Sequence, residues 1–344
     1  MMQTGANVFP GKEWESARPE AQGVSAEKLD QAMAVLRDIS LHHGTDQSLV
    51  VRRGRVLWQG PDIDNKHTIW SCCKTFMAMA FGLLADDGTC SLDTRAADIL
   101  PSLATDYPAV TLRHFANFTC GYRGRAGGDT VEYFEPGEPL HPPGTHFHYS
   151  QASDMLAYLL TLAAGEPLRD LFRRRIAQPI AMDPAGWSWG DWGEVGGLVV
   201  CGGSGSFDRG MSITARQIGR VGWMLANRGR WGDRQLLSSA WMDAMTSPQV
   251  AADIPPLEPD GWYLRLPGSY GANTWINGVT PNGKRMWPAA PAGTFAIQGN
   301  NNNFCFAIPE WNMTLVRLGT DGRINNNRYD CVFVRLREAL GEPA

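Results

Sequence analysis

Two hydrophobic periods share the chain. "VSAEKLDQAMAVLRDIS" (residues 24–40) places apolar residues at helical spacing, with Ser25 set to cap the N-terminus and Glu27 in the first turn. "SLVVRRGRVLWQG" reads as two short strands around a turn at Arg53-Gly54. "TIWSCCKTFMAMAFGLLADDG" then predicts a helix from about Ser71 to Asp86, ended by Gly88. Residues 90–205 are mixed, with helical segments such as "SDMLAYLLTLAAG" between Gly/Pro-rich loops. "TARQIGRVGWMLANRG" is a further helix. From about residue 262 the pattern turns to strands, at "RMWPAA", "GTFAIQG", "NFCFAIP" and "MTLVRLG", before a closing helix at "YDCVFVRLREAL". Strands at both ends with helices between them predict one composite α/β domain from residues 1–90 and 206–344. Residues 91–205 form a mainly helical insertion, with the active site expected between the two.

Composition narrows the classes. A chain of 344 residues has room for a large core. A net charge of -4 without basic clusters argues against nucleic acid or an anionic membrane surface as partner. No window approaches the ~18 apolar residues of a membrane span, and the start has no apolar stretch for a signal peptide. A soluble, cytoplasmic protein is expected. The seven cysteines are scattered without a CxxC pair, against a disulfide framework or structural zinc. Cys72 and Cys73 read as packing residues.

One lysine stands out. The chain has five lysines against 26 arginines, and Lys74 lies inside an apolar run. Ser71-Cys72-Cys73-Lys74 fits S-x-x-K, which puts serine and lysine on one helix face. The serine is at the helix start, where N–H groups and the dipole favour a developing anion. Desolvation favours the neutral amine, and a neutral amine beside a serine hydroxyl serves as its base. The blander reading is a lysine that snorkels to water. A second match, Ser25-Ala26-Glu27-Lys28, reads as a helix cap with a solvated lysine.

The surroundings of Ser71 resemble a family. "HTIWSCCKTFMAMAFGLLADDGTCSLDTRAADILP" followed by "VTLRHFANFTCGY" is similar to the core signature of the serine β-lactamase and penicillin-recognising superfamily. The likeness is nearest to its class C β-lactamase-like esterases and peptidases. Asp87-Gly88, Ser91-Leu92-Asp93, Pro101 and Thr111-Leu112-Arg113-His114 fill the family's places, and Cys120 stands where serine is usual. "PPGTHFHYSQASDMLAYLLTLAAGEPL" aligns Tyr149 with the family's catalytic tyrosine. "ITARQIGRVGWMLANRGRWGDRQLLSSAWM" and "GTFAIQGNNNNFCFAIPEWNMTLVRLG" continue the match, over roughly residues 20 to 335. The resemblance implies an α+β, transpeptidase-like fold with a central antiparallel sheet. It also implies a nucleophile, Ser71, served by Lys74 and Tyr149, with Tyr149 relaying the proton.

Departures mark specificity. The usual Tyr-x-Asn is Tyr149-Ser150-Gln151 here, a longer amide that re-aims any substrate contact. The third motif, usually Lys-x-Gly or His-x-Gly, is placed at Asn300-Asn301-Asn302, or two residues earlier at Gln298-Gly299-Asn300. In neither register is there a cation for a substrate carboxylate. By the family's pattern the oxyanion hole would be the N–H groups of Ser71 and Asn303. Arg323 or Arg328 is the candidate for a relocated cation.

Other constellations are less telling. His146-x-His148 with His141 could be a metal cluster, but it lies in a Pro-Gly loop and reads better as pocket lining or structural hydrogen bonding. "CGGSGS" lacks the Lys-Ser/Thr of a phosphate loop, and no G-x-S-x-G elbow occurs. Trp187, Trp189 and Trp192 read as core, or as an apolar pocket rim. No cofactor is expected. The expected partner is a small-molecule ester or amide, with β-lactams, D-amino-acid amides and a non-catalytic binding role as alternatives.

Overall fold

The computed structural model describes residues 6–42, 44–127, 130–203, 209–258, 267–320 and 326–342. Its main sheet has eight strands. They are β1 (Glu15–Ser16), β2 (Gln47–Arg52), β3 (Arg55–Gln59) and β4 (Tyr270–Gly271), then β5 (Thr274–Ile276), β6 (Phe295–Gly299), β7 (Asn303–Ile308) and β8 (Met313–Leu318). Their order is β1-β3-β2-β8-β7-β6-β5-β4. β1 runs parallel to β3 and every other pair is antiparallel. The two ends of the chain meet where β2 pairs with β8, from Gln47↔Leu318 to Arg52↔Met313.

The longer helices are α1 (Ala26–Ile39), α2 (Cys73–Asp86), α3 (Ala152–Ala164), α4 (Ala215–Ala226), α5 (Ser239–Thr246) and α6 (Asn326–Ala339). The sheet is apolar on both faces, and the pleat sorts its residues between two cores. Val50, Phe304, Phe306, Met313 and Leu315 pack with Leu29, Met33 and Leu36 of α1 and Val332, Phe333 and Leu336 of α6. The alternate positions Leu49, Val51, Cys305, Ala307 and Val316 pack with Ile218, Val221 and Leu225 of α4 and with α2. α2 needs no amphipathic stripe, because Cys73 to Leu84 is buried all round.

Local chemistry explains the boundaries. Ser25 Oγ accepts from Lys28 N at 3.4 Å at the start of α1, and Lys28 is exposed as the capped-helix reading requires. The β2–β3 hairpin turns on Arg53 and Gly54, both left-handed. At Gly54 a Cβ would lie 1.9 Å from Val8 O, so the N-terminal strap also requires the glycine. The strand expected at "RMWPAA" does not form: Arg285 makes a single bridge to Val279, and the chain then turns through Trp287. Pro288 has no N–H to give a ladder, and Asn277 takes over, accepting from Trp287 N and donating to Trp287 O. No helix among the described residues is long and apolar enough to cross a membrane.

Candidate active site

The chain enters α2 through a 3-10 turn, Trp70–Cys72, not directly at Ser71 as the apolar pattern predicts. Trp70 has φ of 49°, a left-handed conformation that costs a bulky residue energy and recurs where a side chain must be presented. It holds Ser71 at the helix mouth, part-exposed, while Cys72 onward is buried. Sequence reasoning passed over Trp70, since no side-chain pattern signals a left-handed tryptophan.

Lys74 follows one turn later, 2% exposed. Its Nζ donates to Ser71 Oγ at 3.0 Å. The same amine is 5.0 Å from the centre of the Tyr149 ring. Lys74 therefore stands between serine and tyrosine, and the snorkelling reading is excluded by its burial. Tyr149 lies just before α3, half-buried, with its ring 4.5 Å from Phe118 and 5.7 Å from Trp275. Phe118 is itself left-handed, with φ of 57°. Tyr270 stands edge-on to Tyr149 at 6.2 Å, fully buried. These aromatic walls fix the phenol ring from several sides.

The neighbouring thiols are structural. Cys72 Sγ donates to Asn303 O at 3.5 Å and Cys73 Sγ to Gly203 O at 3.1 Å. Burial pushes the Cys73 thiol up to about 12 and Cys72 well above the ordinary range, so neither is a thiolate near neutral pH.

The third motif is corrected by the backbone. Gly299, the last residue of β6, abuts the nucleophile turn: a Cβ there would lie 2.2 Å from Ile69 O and 2.9 Å from Cys72 N. Only glycine permits this approach. Gly299 is thus the residue of this segment that lies against the nucleophile turn, at the end of the run Ile297-Gln298-Gly299. Asn300, Asn301 and Asn302 are not strand but the connection between β6 and β7, with Asn301 and Asn302 left-handed at φ of 58° and 60°. Asparagine tolerates that conformation better than other chiral residues, which is why the sequence runs to asparagines here. Asn302 is buried and its Oδ1 accepts from Tyr329 OH, 3.5 Å away on α6. Asn303 is fully buried, and its N–H goes to Asn300 O at 3.4 Å, which removes it as an oxyanion donor. The signal that could have found the register was the single glycine in "AIQGNNNN". Gln298 is half-buried, on the opposite side of the pleat from Gly299. Gln151 is exposed at the mouth of α3, and its carbonyl accepts from Asp154 N at 2.8 Å. Arg328 is exposed at the start of α6, whereas Arg323 lies outside the described residues.

The remaining constellations fall elsewhere. His141 and His146 lie tilted with ring centres 5.2 Å apart, and Thr145 Oγ1 lies 3.0 Å from His146 Nδ1. His148 Nε2 is 4.0 Å from Glu258 Oε1. Among the described residues no group of three His, Cys, Asp or Glu side chains is arranged to hold a metal. Trp187, Trp189 and Trp192 are all buried in the core around α3 and Phe172, not on a pocket rim.

Comparison with known proteins bears on the fold. The family model described as Beta-lactamase matches residues 29–330. No curated protein matches the chain. Among solved structures, a penicillin-binding protein homologue from Caulobacter crescentus superposes with a TM-score of 0.70 at 16% identity, covering 92% of this chain and 98% of its own. A family VIII carboxylesterase gives 0.66 at 15% identity, with 95% and 99% covered. EstCE1, a hydrolase with promiscuous acyltransferase activity, gives 0.65 at 16% identity, with 92% and 99% covered. At these identities the likeness carries the fold alone, an α+β arrangement of a central sheet with flanking helices. With its family match spanning most of the sequence, the chain belongs to the beta-lactamase family.

Proposed function

We propose that this protein is a serine hydrolase that cleaves small neutral esters or amides through an acyl-Ser71 intermediate, in a site between the sheet and the inserted helical region. The observation that carries the reading is the 3.0 Å contact between the Lys74 amine and Ser71 Oγ, with the amine buried. In that contact the Lys74 amine takes the hydroxyl proton as Ser71 Oγ attacks the substrate carbonyl carbon. The resulting oxyanion sits between the Ser71 N–H and the N–H that follows Gly299, on Asn300; backbone donors act there whatever the side chains. The proton passes by way of Lys74 and Tyr149 to the leaving alcohol or amine, and the carbon–leaving-group bond breaks. Water then attacks the acyl-serine ester, Ser71 recovers its proton, and the acid departs. Gln151, exposed near Tyr149, would meet the substrate from the α3 side.

The test is covalent. A fluorophosphonate should label wild-type protein at Ser71 and leave Ser71→Ala unmodified, and Ser71→Ala should not hydrolyse p-nitrophenyl esters. Labelling of Ser71→Ala, or at Ser25, would remove Ser71 from the mechanism. A wild type that neither labels nor turns over any ester or amide would favour a ligand-binding protein on the same fold.

A further inference from the structure

The connection that follows β6 is clamped from behind. Asn303 Nδ2 donates to Asn300 O at 2.7 Å and to Gly319 O at 2.9 Å, while Gly319 N donates to Asn303 Oδ1 at 3.0 Å. The next two carbonyls go to an arginine. Arg317 Nη1 donates to Asn301 O at 3.1 Å and to Asn302 O at 3.5 Å, and its Nε donates to Gly44 O at 3.0 Å. The three consecutive carbonyls of the connection are thus all held.

Arg317 is fully buried, on β8 between Phe304 of β7 and Ser48 of β2. By strand alternation it shares a face with Met313 and Leu315, the α1–α6 face. Gly299 meets the nucleophile turn on the other face. The guanidinium lies so close to Gly319 that a Cβ there would be 2.5 Å from Nη1. Burying a guanidinium among backbone carbonyls costs desolvation energy. A short hairpin with asparagine at its left-handed positions closes without such help. What a rigid planar fork adds is position, because its donors have fixed directions.

We infer that Arg317 is a positioning residue for catalysis: by holding the Asn300–Asn302 connection it fixes the end of β6 against the Ser71 turn, and so the aim of the N–H that follows Gly299. The inference rests on the acyl-serine reading above. It assigns to the far side of the sheet the positioning of the second oxyanion donor, the partner of the Ser71 N–H. The Asn300 N–H belongs to the Gly299–Asn300 peptide unit, so Arg317 acts on it through the connection whose carbonyls it holds.

The experiment uses full-length Arg317→Met and Arg317→Lys. It measures kcat and KM on a neutral p-nitrophenyl ester, and the inhibition constant of a boronic acid that forms a tetrahedral adduct with serine. Arg317→Met should lose roughly 10- to 100-fold in kcat, in the range of a misplaced oxyanion donor, with KM little changed. Boronate affinity should fall by a similar factor, and Arg317→Lys should recover part of both. A purely structural arginine would lower the melting temperature and leave kcat and boronate affinity of the folded enzyme intact, and that result overturns the inference. If Arg317→Met does not fold, Gly319→Ala displaces the guanidinium while keeping it in the chain. Wild-type kcat and boronate affinity in Gly319→Ala would equally overturn the inference. Activity surviving in Ser71→Ala would instead defeat the acyl-serine reading itself, so the two failures are separable.

Discussion

Lys74 is the residue on which the proposed chemistry turns. It is buried, within hydrogen-bond reach of Ser71 Oγ and close over the Tyr149 ring. A lysine placed only to supply positive charge would tolerate arginine. A lysine that accepts a proton would not, because a guanidinium does not deprotonate in proteins. Lys74→Arg should therefore fold and lose about 10²–10⁴-fold in kcat on a p-nitrophenyl ester, the span of a positioned general base. Circular dichroism controls for folding, and near-normal turnover would show that charge alone matters. The Ser71–Lys74 pair was legible from the spacing of its motif, and Tyr149 only through the family resemblance. Trp70, Gly299 and Arg317 were not, because what they contribute is backbone conformation, close approach and the holding of carbonyls, none of which has a periodic signature.

At the scale of elements, hydrophobic period decided most of what could be read. α1, α3, α4 and the strands β2, β3, β6, β7 and β8 lie where their apolar spacing put them. "RMWPAA" failed because alternation alone cannot see that Pro288 breaks a ladder and that the Asn277 side chain replaces it. Three histidines, half-buried His114 and, on the segment before Tyr149, buried His141 and half-buried His148, make a stability prediction. Burial holds His114, His141 and His148 below the ordinary 6.5; Arg113 adds to this for His114, and the facing histidines for the other two. Each is neutral in both states at higher pH. As pH falls below about 6.5 the unfolded chain takes up protons that the folded one resists, so stability declines with acidity. The carboxylates held low by arginines, Asp64, Asp87 and Glu166, act only further down, near their own ordinary values of 3.8 and 4.5. Urea unfolding should give a level free energy from pH 8 to about 7 and a fall towards pH 5. His148→Gln should flatten part of that slope. A stability that rises on acidification through this window would contradict the burial argument.

The whole molecule brings the end of β6 to face a helix mouth, and the character of that strand end bears on the proposed substrate. β6 pairs with β5 at Phe295 and Ala296, and Ile297, Gln298 and Gly299 run on beyond those pairs, with Gly299 against the Ser71 turn. None of the three carries charge. Ile297 shares the face of Gly299 and is 1% exposed, where this family's pattern has lysine or histidine. A substrate carboxylate beside the scissile bond would meet amide and aliphatic groups and no cation from this strand. A charge-assisted hydrogen bond contributes about 1.5–3 kcal/mol. Its loss corresponds to roughly ten- to 150-fold in kcat/KM when nothing replaces it. Neutral esters and amides should therefore outrun matched substrates bearing that carboxylate, β-lactams among them. Kinetics on matched pairs, in wild type and in Ile297→Lys, tests the point, and the lysine should narrow or reverse the preference. A wild type that prefers the carboxylate would refute the argument from the strand. Loss of that preference in Arg328→Ala or Arg323→Ala would then locate the cation at the start of α6 or just before it.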